Sequence, residues 1–141
     1  MTRYLLDTNI ISDLMRHPSG PAAEQIRRVG EDAIYTSVIV AGELRFGAAK
    51  LGSPRMTERV EAILERIEVL PLTLPVDERY GELRARLEPN RNVLGSHDLW
   101  IAAHALAADC CIVTDNGREF ARVNDHPREG NNVLDSVNHS F

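Results

Sequence analysis

Four carboxylates stand out by their setting in the chain: Asp7, Glu43, Asp98 and Asp115. Asp7 ends the apolar run Tyr4, Leu5, Leu6, and Asp115 follows Cys110 to Val113 and Thr114. An apolar run that stops at an acid reads as a buried parallel strand delivering a carboxylate to the sheet's carboxyl edge, where open α/β sheets bind ligands. Glu43 and Asp98 each lie early on a helix that follows a loop. Carboxylates gathered within a few ångströms raise one another's pKa unless a cation intervenes. All-oxygen ligation with room for water suits Mg²⁺ or Mn²⁺, which readily take phosphate oxygens as further ligands. Zinc fits poorly, since the chain has no Cys-x-x-Cys or His-x-x-x-His pairing. Such a site activates a water and stabilises charge on a phosphodiester and its leaving oxygen, with no covalent protein nucleophile. His97 precedes Asp98 and is expected to project elsewhere; His104 falls in mid-helix.

Each acid also has an ordinary explanation. Asp7 is a good turn or helix-cap residue. Glu43 has Arg45 nearby as a partner, and a first-turn acid such as Asp98 is favoured by the helix dipole. The shared site gains weight because two strands end in acids and two further acids occupy comparable places.

The elements that must position them follow from spacing and punctuation. After the opening strand, Ile10, Ile11, Leu14 and Met15 have helical spacing, with Thr8 or Asn9 as the expected cap. A second helix starts at Pro21 and stops at Gly30. Ala33 to Tyr35 form a strand, and Thr36 or Ser37 caps a third helix that buries Val40, Leu44 and Ala48 and puts Glu43 on the flank of that face. Val60, Ile63, Leu64 and Ile67 mark a fourth helix with a charged outer face. Val69, Leu70 and Leu72 read as an edge strand or strand end, given Pro71. Pro75 opens a helix burying Tyr80, Leu83 and Leu87. Asp98 then enters an unusually apolar helix, Leu99 to Ala107, followed by the strand before Asp115. A last short strand is expected around Val133 and Leu134.

At 141 residues, with 43% apolar and 26% charged residues, the chain has the balance of one ordinary globular domain. No apolar run approaches the roughly 18 residues of a membrane span, and a cytoplasmic location is the expectation. The formal charge of −5 argues against a general basic nucleic-acid surface. It leaves room for a nuclease, because all sixteen basic residues except Lys50 are arginines, which match phosphate with a bidentate fork. Cys110 and Cys111 are adjacent, cannot easily form an ordinary disulfide, and read as core thiols.

Leu6 to Asn9 (Leu-Asp-Thr-Asn), Glu43 to Gly47 (Glu-Leu-Arg-Phe-Gly), Gly95 to Ala105 (Gly-x-x-Asp entering Ile-Ala-Ala-His-Ala) and Val113 to Phe120 (Val-Thr-Asp-Asn, then Arg-Glu-Phe) together resemble the PIN-domain ribonucleases. Within that family the chain is most similar to the VapC toxins of toxin–antitoxin pairs. Any one motif is weak; four in order, reaching to Val123, are specific. The resemblance implies a three-layer α/β/α fold around a central, mainly parallel sheet, with a nuclease domain over 1–123; the polar segment over 124–141 is expected to be part of the same single domain or partly disordered. The resemblance also implies Mg²⁺- or Mn²⁺-dependent endonucleolytic cleavage of RNA, homodimerisation and a cognate VapB-type antitoxin. Asp7 and Asp98 would be the principal metal ligands, completed by Glu43 and Asp115, with Asn9, Thr114 and Asn116 orienting the acids. Asp115 is the first choice for the fourth acid, with Asn116 and Glu119 as alternatives. Ser96 stands where many relatives have proline, and the usual ending with tryptophan is absent.

Arg45, Arg91, Arg118 and Arg122 are the basic residues nearest in sequence to the acids and are candidates for holding RNA phosphates. The rival readings are a non-catalytic PIN-like RNA-binding module, a DNA-directed phosphodiesterase, since this chemistry does not itself read the 2′-OH, and a small-molecule phosphohydrolase or receiver domain. The receiver is disfavoured because no lysine lies near the late strand.

Overall fold

The computed structural model describes residues 2–90, 95–114 and 133–135, the backbone alone at Asn90 and 133–135. The elements run β1 (Tyr4–Leu6), α1 (Thr8–Arg16), α2 (Pro21–Val29), β2 (Ile34–Ser37), α3 (Val38–Leu51), α4 (Pro54–Arg66), β3 (Glu68–Leu70), α5 (Val76–Leu87), α6 (Ser96–Ala107), β4 (Cys111–Thr114) and β5 (Val133–Asp135). The five strands pair in the order β3-β2-β1-β4-β5, and every pairing is parallel. Parallel strands need crossovers, and right-handed crossovers put α1 to α4 on one face and α5 and α6 on the other. Helix packing follows that division: α1 meets α2, α3 and α4, while α5 lies along α6. The α3–α6 contact joins the two groups. This is the expected three-layer α/β/α arrangement. β5 lies beyond residue 123, so part of the polar terminal segment belongs to the same sheet.

Chain direction fixes where a ligand would sit. The path runs outward from β1 through β2 to β3, then returns to the other side of β1 with β4 and β5. The reversal lies between β1 and β4, and the carboxyl ends beside such a switch point form the binding crevice of open sheets. Leu6 is level with Thr36 of β2 and Val113 of β4, so Asp7 leaves the sheet at that crevice.

Strands buried on both faces explain the apolar runs: Leu5, Leu6, Ile34, Ile112 and Val113 are all in the core, with Ile10, Ile11, Val40, Val60, Leu83 and Ile101 packed from the helices. Several boundaries differ from the sequence expectation. The cap of α1 is Asp7 itself rather than Thr8 or Asn9, since the Ile10 amide donates to its side chain. β3 stops at Leu70, and Leu72 is 42% exposed. Pro71, the next residue, has no N–H to extend the ladder. Ile67 is buried but lies past the end of α4. Gly52 ends α3 in the left-handed conformation at φ 64°, which glycine adopts without a side-chain penalty. Leu6→Ala, which empties a fully buried central position, is expected to cost about 2–5 kcal/mol in urea unfolding. Leu74→Ala, at an 82% exposed site, should stay within about 0.5 kcal/mol.

Candidate active site

Asp7 is only 3% exposed, so its carboxylate must be satisfied from within. The Ile10 amide donates to Oδ1 at 3.0 Å, closing the first turn of α1, and the Thr114 hydroxyl donates to Oδ2 from the end of β4. The Asp7 amide donates to the Val113 carbonyl at 3.1 Å. On the other side, the buried Thr36 hydroxyl donates to the Leu6 carbonyl at 2.7 Å. Asp7 therefore caps α1 while standing at the switch point of the sheet. The Thr114 hydroxyl, to which the resemblance gives an orienting role, is hydrogen-bonded to Asp7. Asn9 is exposed on the first turn of α1.

Glu43 lies on α3, one residue before buried Leu44. Its Oε1 is buried and has no hydrogen-bond partner, an acceptor left open. Arg45 does not pair with it, since the Arg45 guanidinium forks onto Glu61 of α4 at 2.8 and 2.9 Å. That hydrogen bond raises the Arg45 pKa and lowers that of Glu61, and both residues are on the surface. The simple Glu43–Arg45 pair is thus absent. Instead His97 Nδ1 stands 3.7 Å from Glu43 Oε1, beyond hydrogen-bond length. His97 was expected to project elsewhere; the first turn of α6 turns it toward α3, a tertiary placement that local spacing does not encode.

Asp98 is half-buried in that same first turn, after the extended cap residue Gly95. A Cβ built on Gly95 would come within 3.9 Å of Asp98 Oδ2, so the glycine backbone passes close to the carboxylate. The acids are linked through neighbours. Thr8, next to Asp7, and Glu43 line one cavity of about 260 Å³ between α1, α3 and α4, and Glu43 faces the residue preceding Asp98. The Thr8 hydroxyl oxygen, also buried, has no hydrogen-bond partner. Among the described residues no three acidic, histidine or cysteine side chains form a preassembled ligand cluster. Asp115, Asn116, Glu119, Arg91, Arg118 and Arg122 lie outside the described residues.

Two histidines separate cleanly. His97 is largely exposed beside Glu43, whereas His104 is buried and hydrogen-bonded to Ser37, with Nδ1 2.8 Å from Oγ. Burial pushes the His104 pKa down, against a smaller upward pull from its bond to the Pro71 backbone. The cysteines are buried thiols outside any disulfide, and burial raises the Cys110 thiol, so they are core thiols as read from the sequence. No helix of the described residues is long and apolar enough to cross a membrane.

Residues 4–125 match the PIN-domain family model. The chain is 33% identical over 122 residues to Ribonuclease VapC2 of Rickettsia felis, covering 85% of this chain and 91% of that protein. It is 32% identical over 124 residues to the tRNA(fMet)-specific endonuclease VapC of Shigella flexneri, covering 87% of this chain and 93% of the other. Among solved structures, DNA-bound VapBC from Salmonella typhimurium superposes with a TM-score of 0.84 at 29% identity, over 96% of this chain and 99% of that one.

The double role of Asp7 sets its mutational signature. Asp7→Asn keeps a good capping acceptor and is expected to stay folded, whereas Asp7→Ala removes the cap and should cost about 0.5–2 kcal/mol more in urea or thermal unfolding. Equal stabilities for the two would show that the Ile10 contact contributes nothing.

Proposed function

This chain belongs to the PIN-domain family, and we propose that it is a divalent-metal-dependent endoribonuclease, the toxin of a toxin–antitoxin pair. Asp7 and Asp98 are its principal metal ligands, with Glu43 and Asp115 completing the acidic site; Asn116 and Glu119 are the alternatives at the fourth place. The open, buried Glu43 Oε1 carries this reading, because a buried acceptor without a partner costs about 1–3 kcal/mol and a cation removes that cost. The donors are carboxylate oxygens, which suit Mg²⁺ or Mn²⁺ over zinc.

When bound, the cation supplies the Lewis-acid charge that makes water a competent nucleophile near neutral pH and offsets charge on the phosphodiester. The protein's part is to hold its acids in place. Thr114 and the Ile10 amide fix the orientation of Asp7, and Thr36 fixes the backbone that leads into it. Asn9 and Asn116 are proposed, by their positions in the motifs, to add hydrogen bonds around this shell. Arg45 is tied to Glu61 in an exposed, solvent-screened pair, so an RNA phosphate competes readily for its fork. Arg91, Arg118 and Arg122 are proposed for the same task by their nearness in sequence to the acids.

The relatives' names supply the substrate class and partner. We assign RNA as substrate, a cytoplasmic location, a VapB-type antitoxin as partner and a homodimer as the working assembly. Residues 1–123 form the nuclease unit, with 124–141 adding β5. The cavity beside Glu43 opens among Met15, Leu51 and Met56, and Leu51 is 69% exposed, an apolar surface that a protein partner would cover.

Purified protein incubated with total cellular RNA is expected to give discrete fragments with Mg²⁺ or Mn²⁺ and none with chelator. Asp7→Asn and Asp98→Asn should lower cleavage at least about 100-fold while remaining folded. Inertness of a folded, metal-binding, partner-free wild type would favour the RNA-binding module, and cleavage of DNA alone would favour the other phosphodiesterase. Mass measurement by size exclusion with light scattering should give a dimer, and a larger complex when the neighbouring antitoxin is co-expressed. A monomer unaffected by co-expression would remove both assignments.

A further inference from the structure

α6 buries Leu99, Ile101, Ala102, Ala103 and Ala105, and among them stands one polar residue, His104, only 2% exposed. A buried imidazole costs free energy unless both its nitrogens are engaged. Here they are. Nδ1 lies 2.8 Å from Ser37 Oγ, and the ring is hydrogen-bonded to the Pro71 backbone, which offers only a carbonyl. Ser37 Oγ in turn accepts the Ile39 amide at 3.1 Å and caps α3. One proton arrangement satisfies all three contacts: the Ser37 hydroxyl donates to Nδ1, and Nε2–H donates to the Pro71 carbonyl. The depressed His104 pKa agrees with a neutral ring in that tautomer.

We infer that His104 is a positioning residue for the acidic site: through Ser37 it clamps α6 to the first turn of α3 and so sets Glu43 and Asp98 against each other. Ser37 precedes Glu43 by six residues and His104 follows Asp98 by six, about 9 Å along either helix at 1.5 Å per residue. At the far end of this stretch Glu43 Oε1 and His97 Nδ1 are 3.7 Å apart. The two helices therefore pass each other in opposite senses, with Ser37–His104 as the closed rung and Glu43–His97 as the open one. Small apolar side chains such as Ala102, Ala103 and Ala105 permit one helix to slide or rotate on another. A directional hydrogen bond between a cap and a buried ring does not, and buried polar contacts are best attested in setting such register. The inference rests on the reading that Glu43 and Asp98 serve one cation.

The test compares wild type, Ser37→Ala, His104→Leu, His104→Asn and the Ser37→Ala/His104→Leu double variant by calorimetric Mn²⁺ titration, urea unfolding and RNA cleavage. Ser37→Ala and His104→Leu should each weaken Mn²⁺ binding about 10- to 100-fold, the usual effect of removing a residue that orients ligands. Cleavage should lose kcat with KM little changed. The double variant should bind Mn²⁺ no more weakly than Ser37→Ala, because that change already breaks the Ser37–His104 bond along with the α3 cap. His104→Asn, whose side-chain oxygen can replace Nδ1 as acceptor, should recover most of the affinity. Wild-type Mn²⁺ affinity in folded His104→Leu or Ser37→Ala would overturn the clamp. If His104→Leu does not fold, Ser37→Ala decides alone. Absence of Mn²⁺ binding by wild type would overturn the acidic-site reading itself, and the clamp with it.

Discussion

A carboxylate that is 3% exposed at the end of a central strand is the constraint around which this molecule is arranged. Taken out of water, Asp7 needs fixed donors, and it finds them in the Ile10 amide of α1 and the Thr114 hydroxyl of β4. Those two bonds tie the first helix and the returning strand to β1 at the place where the sheet reverses direction. The Thr36 bond to the Leu6 carbonyl adds β2 to the same knot. Three adjacent strand ends are thereby locked together, and the acid they hold cannot swing away from the crevice.

The other two described acids arrive on helices, which gives a different mechanical problem. α3 and α6 are joined to the sheet only at one end each, so their relative placement must be set by contacts between them. Ser37 and His104 make a buried polar contact of that kind, and Glu43 and His97 approach at the open end. Glu43 keeps one buried oxygen unpartnered, a state that a cation would relieve. Like charges brought to one edge are costly in isolation, and under the proposed function a bound cation would offset that cost.

Much of this was legible in the sequence because it depends on local pattern. The buried parallel strands announced themselves as apolar runs, Thr36 or Ser37 as a cap, Gly30 as a helix end, and Pro71 as a strand end. Asp7 posed a choice between cap and site; the structure shows the cap, held at the switch point, and this position is compatible with the proposed site. What stayed hidden depends on partners distant in sequence. Nothing near Glu43 or Arg45 shows that Arg45 turns to Glu61, sixteen residues on, and leaves the glutamate open. The Ser37–His104 bond spans 67 residues and has no periodic signature, and the sequence placed His104 only in mid-helix. His97 was misjudged because its direction depends on where the first turn of α6 meets α3. The motif resemblance carried the fold and family from Leu6 to Val123, and the family match over residues 4–125 agrees with that span.

The central claim is that Asp7, Glu43 and Asp98 converge on one divalent cation at the switch point. Anomalous diffraction from crystals soaked in Mn²⁺ tests it most directly. The account predicts a manganese peak at the carboxyl edge, in contact with carboxylates of all three residues and lost in Asp98→Asn. A peak elsewhere, or ordered carboxylates at this edge with no peak at saturating Mn²⁺, would contradict it.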